Sequence, residues 1–366
     1  MRRYACFNGL LHYISGAEFL GMQLRYKSYQ LSFKHPFGVS SNTRTSTTSV
    51  FIALTHNQVV GYGEACIPAY LGETEKDTIQ FFDKAAEFLK QYDPVLPLHF
   101  FIDAIDDLMP AHNAAKAALD IALHDLYGKL HNHSYAGMIG IDRVPPVSTA
   151  FTIGIDEPKK LEEKINEAVD FELLKIKAGT TDDKALIQLI RTFTDKPLYV
   201  DVNQGWRDKE RTLDFCFWLK EQNVILLEQP FAVSMHEEMQ WLTERSPILT
   251  IADESIKRFA DLQKMEAAFH GINIKLMKST GLREAMRMIQ YCKKNDIAIL
   301  LGCMAESSCA ASAMSQLLPF ADFVDLDAPL LYTNDPFSGL SYERGKVKAA
   351  EGLGIGAILN YDLFLD

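Results

Sequence analysis

The chain has 366 residues, 48% of them hydrophobic and 23% charged, with a formal net charge of −11. That composition belongs to a soluble globular protein long enough for one large and one smaller domain. Net acidity argues against non-specific binding to nucleic acid or anionic membranes, which need basic patches. An anionic small substrate stays possible, because a local metal and lysines can reverse the sign inside a cleft. No run approaches the 18 or so apolar residues of a membrane span. Cys6, Cys66, Cys216, Cys292, Cys303 and Cys309 are scattered without a C-x-x-C pair, which predicts reduced cytosolic thiols rather than a disulfide framework.

Residues 1–21 begin with Arg2 and Arg3 ahead of a mildly apolar stretch. Asn8, His12 and Glu18 interrupt it and no A-x-A pattern follows, so an unstructured extension is expected rather than a signal peptide. From Gln23 a strand (Leu24, Tyr26, Tyr29, Leu31, Phe33) runs to His35-Pro36-Phe37-Gly38. A polar loop is expected over Ser40–Thr48, carrying Arg44. Ser49–Thr55 and Val59–Ala65 then read as a hairpin across His56-Asn57-Gln58. Two helices follow, over Glu73–Tyr92 and Ala114–Leu130, each with apolar residues at helical spacing. Strands then helices in this order predict a separate α+β domain.

Beyond Pro145-Pro146 the pattern changes. Eight short apolar runs recur: Val147–Ile153, Leu173–Ala178, Leu198–Val202, Val224–Glu228, Leu249–Asp253, Ile272–Leu276, Ile297–Gly302 and Phe323–Leu326. Amphipathic segments such as Pro158–Asp170 and Asp261–Phe269 lie between them. Evenly spaced βα units, repeated to the number that closes a barrel, favour a (β/α) barrel over an open doubly wound sheet. Gly352-Leu-Gly354-Ile-Gly356 lacks the dinucleotide-binding spacing and reads as a turn.

Three consecutive runs carry an acid at or near their carboxyl ends: Asp201, Glu228 and Asp253, spaced 27 and 25 residues apart. Any one of them alone reads as a helix cap or loop ion pair. Three in register on adjacent strands converge at the face where barrel active sites lie, and hard cations take such oxygen ligands. The second run holds Lys175-Ile176-Lys177, whose alternation puts both lysines on one face. Outward, they would bury charge against hydrocarbon. Lys275 sits on the sixth run, diametrically opposite the second, so Lys177 and Lys275 would meet a central substrate from both sides. Lys278 is expected in the following loop. A divalent cation stabilising an enediolate, with a lysine of lowered pKa as base, would labilise an α-proton. Bases on both faces permit racemisation or epimerisation, whereas one base plus an acid would suit elimination or cycloisomerisation. On the eighth run Asp325 and Asp327 share a face, an anionic pair suited to a substrate ammonium.

At these residues the chain resembles the enolase superfamily, in the branch of muconate-lactonising enzymes. The resemblance runs from about Met22 to near the end. It rests on Gly61-Tyr-Gly-Glu-Ala65, Lys175-Ile-Lys177-Ala-Gly179, Asp201-Val-Asn203-Gln-Gly-Trp206, Glu228-Gln-Pro230, Ala252-Asp-Glu-Ser255 and Asn273-Ile-Lys275-Leu-Met-Lys278. It implies a modified TIM barrel, (β/α)7β, over residues 146–330. An α+β capping domain over 22–145 would be completed by the C-terminal segment 331–366. It implies one Mg²⁺ per subunit on Asp201, Glu228 and Asp253, with Lys177 and Lys275 as acid/base residues and Lys175 supporting the enolate. The Asp325-x-Asp327 pair is similar to the dipeptide epimerase subgroup, where it holds the free amino group. Cys303 and Met304 match that subgroup's substrate-contacting loop, and Thr152 ends the first strand. Arg44 stands where L-Ala-D/L-Glu epimerases carry an arginine for the substrate's side-chain carboxylate.

The expected activity is thus Mg²⁺-dependent epimerisation at Cα of a dipeptide's second residue, in L-Ala-D/L-Glu of murein peptide recycling. A cytoplasmic homo-oligomer with no nucleic-acid or membrane partner is expected. The alternatives are epimerases of hydrophobic or other dipeptides, an o-succinylbenzoate synthase or N-acylamino acid racemase, and a non-catalytic binding protein.

Overall fold

A computed structural model describes residues 21–39, 42–67 and 69–364. The extension 1–20, and Ser40 and Ser41, lie outside the described residues. The cap opens with an antiparallel sheet of β1 (Gln23–Val39), β2 (Asn42–His56) and β3 (Val59–Cys66). The polar loop expected over Ser40–Thr48 is instead largely strand: Asn42–Thr48 pair back along β1, with Arg44 opposite Phe37. Its threonines and serines suit a pleated edge once a partner strand is present. The β2–β3 turn is tight, with Asn57 and Gln58 at φ of 46° and 68°, the left-handed conformation that two-residue hairpins need.

Three main helices follow rather than two: α1 (Glu75–Leu89), α2 (Leu98–Leu108) and α3 (Asn113–Leu130). Short α2 starts directly after Pro97. Helix α3 is buried on all sides from Ala114 to Gly128 and packs on β3. That packing explains the glycines of Gly61-Tyr-Gly-Glu. A Cβ at Gly61 or Gly63 would stand 2.2 or 2.0 Å from the carbonyl oxygens of Ala122 and Ala118.

The one-turn α4 (Tyr135–Met138) leads to β4 (Val147–Ser148), which is not part of the barrel. The first run expected from Val147 therefore splits, because β4 pairs antiparallel with a C-terminal strand. The barrel strands are β5 (Ala150–Ile153), β6 (Leu173–Lys177), β7 (Leu198–Asp201), β8 (Val224–Glu228), β9 (Leu249–Ala252), β10 (Gly271–Ile274), β11 (Ala298–Gly302) and β12 (Phe323–Asp325). All are parallel and follow one another in chain order. Between them run α5 (Pro158–Glu167), α6 (Asp183–Arg191), α7 (Lys209–Glu221), α8 (His236–Thr243), α9 (Phe259–Met265), α10 (Leu282–Lys294) and α11 (Ser308–Ser315). Seven helices between eight strands give a (β/α)7β barrel.

Side chains complete its seam. The Thr149 hydroxyl accepts from Leu326 N at 3.0 Å, and Asp327 Oδ2 accepts from Thr152 N at 2.6 Å, joining β5 to β12. Ala150, Tyr199, Leu226, Ile251 and Leu300 fill the lumen. Beyond β12, the antiparallel strands β13 (Phe337–Ser338), β14 (Ser341–Glu343), β15 (Lys346–Lys348) and β16 (Ile358–Leu359) finish the chain. The glycines at 352, 354 and 356 all have positive φ in an irregular turn, and Gly354 packs against Asp125 of α3.

Cap and barrel are joined by charge. Arg258 makes two bonds to Asp106 of α2, at 3.0 and 2.9 Å, and one to Glu284 of α10. Asp120 of α3 accepts from Leu282 N at 2.5 Å, at the start of α10. A Cβ at Gly281, where φ is +111°, would collide with that carboxylate.

Candidate active site

Each acidic strand end enters the mouth of the barrel because alternation along short, apolar strands leaves their last inward residue above the packed lumen. Asp201 and Glu228 end β7 and β8, and Asp253 follows β9 by one residue. All three are buried, at 0–1% exposure. Among the described residues no three such groups close into a ready-made metal cage. Their oxygens are spread over lysine ammonium groups instead. Asp201 Oδ2 lies 2.7 Å from Lys177 and 3.2 Å from Lys175. Glu228 accepts from Asn273 Nδ2 at 2.6 Å and from the Tyr199 hydroxyl, and Lys175 stands 3.0 Å away. Asp253 faces Lys275 at 2.7 Å and Lys278 at 2.6 Å.

Burial pushes every one of these carboxyls up, and the lysines decide the outcome. Asp201 is held well below the usual range by Lys177 and Lys175, and Asp253 by Lys275 and Lys278. Glu228 stays raised, by burial and then by the charge of Asp201. Three mutually repelling, oxygen-only donors on adjacent strand ends form a set that fits a hard divalent cation.

Sequence reasoning expected a lysine of lowered pKa as the base. Among the protein's own groups, carboxylates act against that lowering at two lysines. Despite burial, Lys175 is held up by Asp325 and Glu228, and Lys275 by Asp253 and Glu228. Lys278 alone is lowered, by burial. Nor is it a free loop residue: it lies in the turn after β10 but points back. There it is 1% exposed and donates to Asp253 O, Asp253 Oδ1 and Asn273 O. Lys177 and Lys275 belong to β6 and the end of β10, four strands apart around eight, and so face each other across the mouth.

The far arc holds the expected pair. Asp325 ends β12, bonded to Lys175 at 2.6 Å, and its Oδ1 is buried without a partner. Asp327 caps a short helical turn beyond it, its carboxyl pushed up to about 7 by burial and then by Asp325. The Cys303 thiol donates to Asp325 O at 3.3 Å, and Met304 follows it along the same loop. Arg44 is exposed on β2 and joins no ion pair among those described.

Tyr70 escaped sequence reasoning. It lies in the turn after β3 and donates to the Met304 sulfur at 3.6 Å. Its phenol is raised by desolvation and then by the charges of Asp253 and Glu254. Nothing in its neighbourhood in sequence marks it, since the turn carries no periodicity. Asn273 was not singled out either, although its alternation with Lys275 is the signal that would have placed it on the inward face.

Two family models match. Residues 25–140 match the mandelate racemase / muconate lactonizing enzyme N-terminal domain, and residues 159–363 match the enolase C-terminal domain-like model. An L-Ala-D/L-Glu epimerase of Bacteroides thetaiotaomicron is 41% identical over 338 residues, covering 92% of this chain and 88% of the relative. An L-Ala-D/L-amino acid epimerase of a Maribacter species is 34% identical, covering 93% of this chain and all of the relative. Among solved structures, the dipeptide epimerase of Enterococcus faecalis complexed with Mg and L-Leu-L-Tyr superposes with a TM-score of 0.85. It is 28% identical, covering 92% of this chain and 99% of that one. With both halves matched, and the barrel and cap in place, the chain belongs to the mandelate racemase / muconate lactonizing enzyme family of the enolase superfamily.

Proposed function

We propose that the protein is a Mg²⁺-dependent dipeptide epimerase that inverts Cα of the C-terminal residue, with L-Ala-D/L-Glu as its substrate. The observation that carries this reading is the placement of Lys177 and Lys275 on opposed strands, with a carboxylate arc between them and a second carboxylate pair facing it. Asp201, Glu228 and Asp253 would hold the cation. When bound, it supplies Lewis-acid polarisation of the substrate carboxylate and takes up the negative field that now surrounds the lysines.

The chain's own groups do the rest. Asp325 and Asp327 receive the substrate ammonium, a role suited to two buried carboxyls that repel each other. That anchors the first residue on the far arc and leaves the second residue's Cα between the lysines. Lys175 sits among Asp201, Glu228 and Asp325, where an ammonium offsets the charge that develops on the substrate carboxylate. One of Lys177 and Lys275 removes the α-proton and the other returns one from the opposite face. Each is bonded to one carboxylate of the metal-binding arc, Lys177 to Asp201 and Lys275 to Asp253, both at 2.7 Å. Tyr70, Met304 and Cys303, linked to one another or to Asp325, would meet the substrate's side chains, and Arg44 of the cap would be the cation for a glutamate side chain. An active site that reads both termini of a dipeptide fits an enzyme of murein peptide recycling in the cytoplasm, working as a homo-oligomer.

The test is incubation with a dipeptide library in D₂O, read by mass spectrometry with and without Mg²⁺. Metal-dependent deuterium uptake at the second Cα, greatest for Ala-Glu, is expected. No uptake in any dipeptide would sink the reading, and uptake in N-acylamino acids alone would move it to the racemases of the same scaffold.

A further inference from the structure

The end of β3 and the turn after it run alongside the loop between β11 and α11, in opposite directions. Glu64 meets Ser307, Cys66 meets Ala305 and Tyr70 meets Met304. The Cys66 thiol donates to Ala305 O at 3.2 Å, and the Tyr70 hydroxyl to the Met304 sulfur at 3.6 Å. Glu64 is the anchor. Its Oε2 accepts from Ser307 N at 3.1 Å, Ser307 Oγ at 2.6 Å and Ala310 N at 3.2 Å. Its Oε1 accepts from Ser307 N at 2.9 Å and from Ser49 Oγ, inside the cap, at 2.8 Å.

Glu64, Ser49 and Ser307 are fully buried. A carboxylate in that position is matched by donors alone, most of them from the first turn of a helix whose amide groups would otherwise lack partners. Asp335, beyond the barrel, accepts from Ser308 N at 2.8 Å and Ser308 Oγ at 2.7 Å on the same turn, so Glu64 is the anchor on the β3 side. The cap therefore holds the first turn of α11 at a defined height, and the loop Cys303–Glu306 hangs between that turn and β11. Within the loop, Met304 N is further tied to Glu306 Oε1 at 3.0 Å.

We infer that Glu64 is a positioning residue, which acts through the first turn of α11 to fix the loop Cys303–Glu306 and thereby sets the affinity of the side-chain pocket. The inference rests on the epimerase reading in that the loop faces substrate. Glu64 itself touches none. Side-chain preference is then a joint property of cap and barrel, written partly in residues outside the pocket.

The test compares Glu64→Gln with Ser49→Ala in the full-length protein. The carboxamide keeps one acceptor and turns an NH₂ group on the Ser307 and Ala310 donors. Ser49→Ala removes a bond to the same carboxylate without crossing to the barrel. Expected for Glu64→Gln is a KM for dipeptide raised about tenfold or more with kcat within about threefold, whereas Ser49→Ala leaves KM within about twofold. Hydrogen–deuterium exchange over residues 303–310 should rise in Glu64→Gln and not in Ser49→Ala. Equal KM changes in the two variants, unchanged exchange, or a kcat collapse at constant KM would each overturn the inference. Should Glu64→Gln not fold, Cys66→Ala and Cys66→Ser take its place. The first should raise both KM and exchange of the loop, and the second, which restores a donor, should return them. Failure of Cys66→Ala to alter either would overturn the inference. The exchange readout needs no substrate, so it separates failure of the positioning role from failure of the epimerase reading, which wild-type inactivity would reveal.

Discussion

Lys175 Nζ lies 2.6 Å from Asp325 Oδ2 and also within 3.2 Å of Asp201 and 3.0 Å of Glu228, so one ammonium joins both carboxylate arcs. Its side chain is 3% exposed and stands over the Tyr199 ring. Removing it leaves three buried carboxyls without their shared counter-charge. Lys175→Met is expected to lose about 3–5 kcal/mol of stability, the usual result of breaking a buried pair by deleting one partner. Mg²⁺ should return part of the loss. Thermal melts with and without Mg²⁺ check this, and an unchanged melting temperature would count against it.

The opposed lysines make a stereochemical prediction. Lys177→Ala and Lys275→Ala should each slow epimerisation by about 10²–10⁴-fold, the range for a removed acid or base. Each should still exchange the α-proton of one epimer, and the two variants should choose opposite epimers. NMR of α-proton loss from each epimer in D₂O distinguishes them. If both variants exchange the same epimer, the lysines do not flank Cα.

Neutralising the far arc should act on binding. Asp325→Asn with Asp327→Asn is expected to raise KM for free dipeptides by about 10–100-fold, the scale of hydrogen bonds to charged groups. N-acetylated dipeptides, which carry no ammonium, should lose less than free dipeptides do. Steady-state assays on the matched pair suffice, and equal losses on both substrates would contradict the role.

Glu306 supplies a pH prediction away from the metal-binding arc. It is 1% exposed, its Oε2 has no partner, and burial pushes it up from an ordinary 4.5 to about 8. The folded state binds its proton more tightly than the unfolded chain does, so stability falls as pH rises from about 4.5 through about 8. Glu306→Gln removes that slope. The variant should match the parent in denaturant melts at pH 4.5 and gain on it with rising pH, at about 1.4 kcal/mol per pH unit at most. A constant difference across the range would rule out a neutral Glu306.

Gly63 offers a packing test. A methyl there would meet the Ala118 carbonyl oxygen at 2.0 Å, against backbone that cannot step aside. Gly63→Ala should cost about 1–3 kcal/mol or more. Calorimetry reads it, and a melting temperature equal to the parent's would place α3 farther from β3.

The barrel was legible because its signal is repeated: eight apolar runs at near-constant spacing leave little room for another fold. Asp201, Glu228 and Lys175-Ile-Lys177 were legible for a related reason, since strand alternation converts sequence parity directly into inward placement. What escaped depended on partners far away in sequence. The strand character of Asn42–Thr48 comes from pairing with Gln30–Val39, and serines and threonines alone read as loop. Val147–Ser148 left the first barrel strand because Lys346 and Val347 claim them. Lys278 looked loop-bound until Asp253 supplied a buried counter-charge. Tyr70 and the Glu64–Ser307 contact, 243 residues apart, have no local signature at all.

The seam between β5 and β12 has a consequence for divergence within this fold. Asp327 closes it by accepting from Thr152 N, and the same carboxyl lies in the pair proposed to receive the substrate's amino group. A mutation there would alter ligand choice and loosen the barrel wall together. Drift toward substrates without an amino group would thus need a compensating change at the Thr152 edge first, whereas the cap-side positions can vary one at a time. New preferences in such a scaffold should arise sooner for the second residue of a dipeptide than for its first.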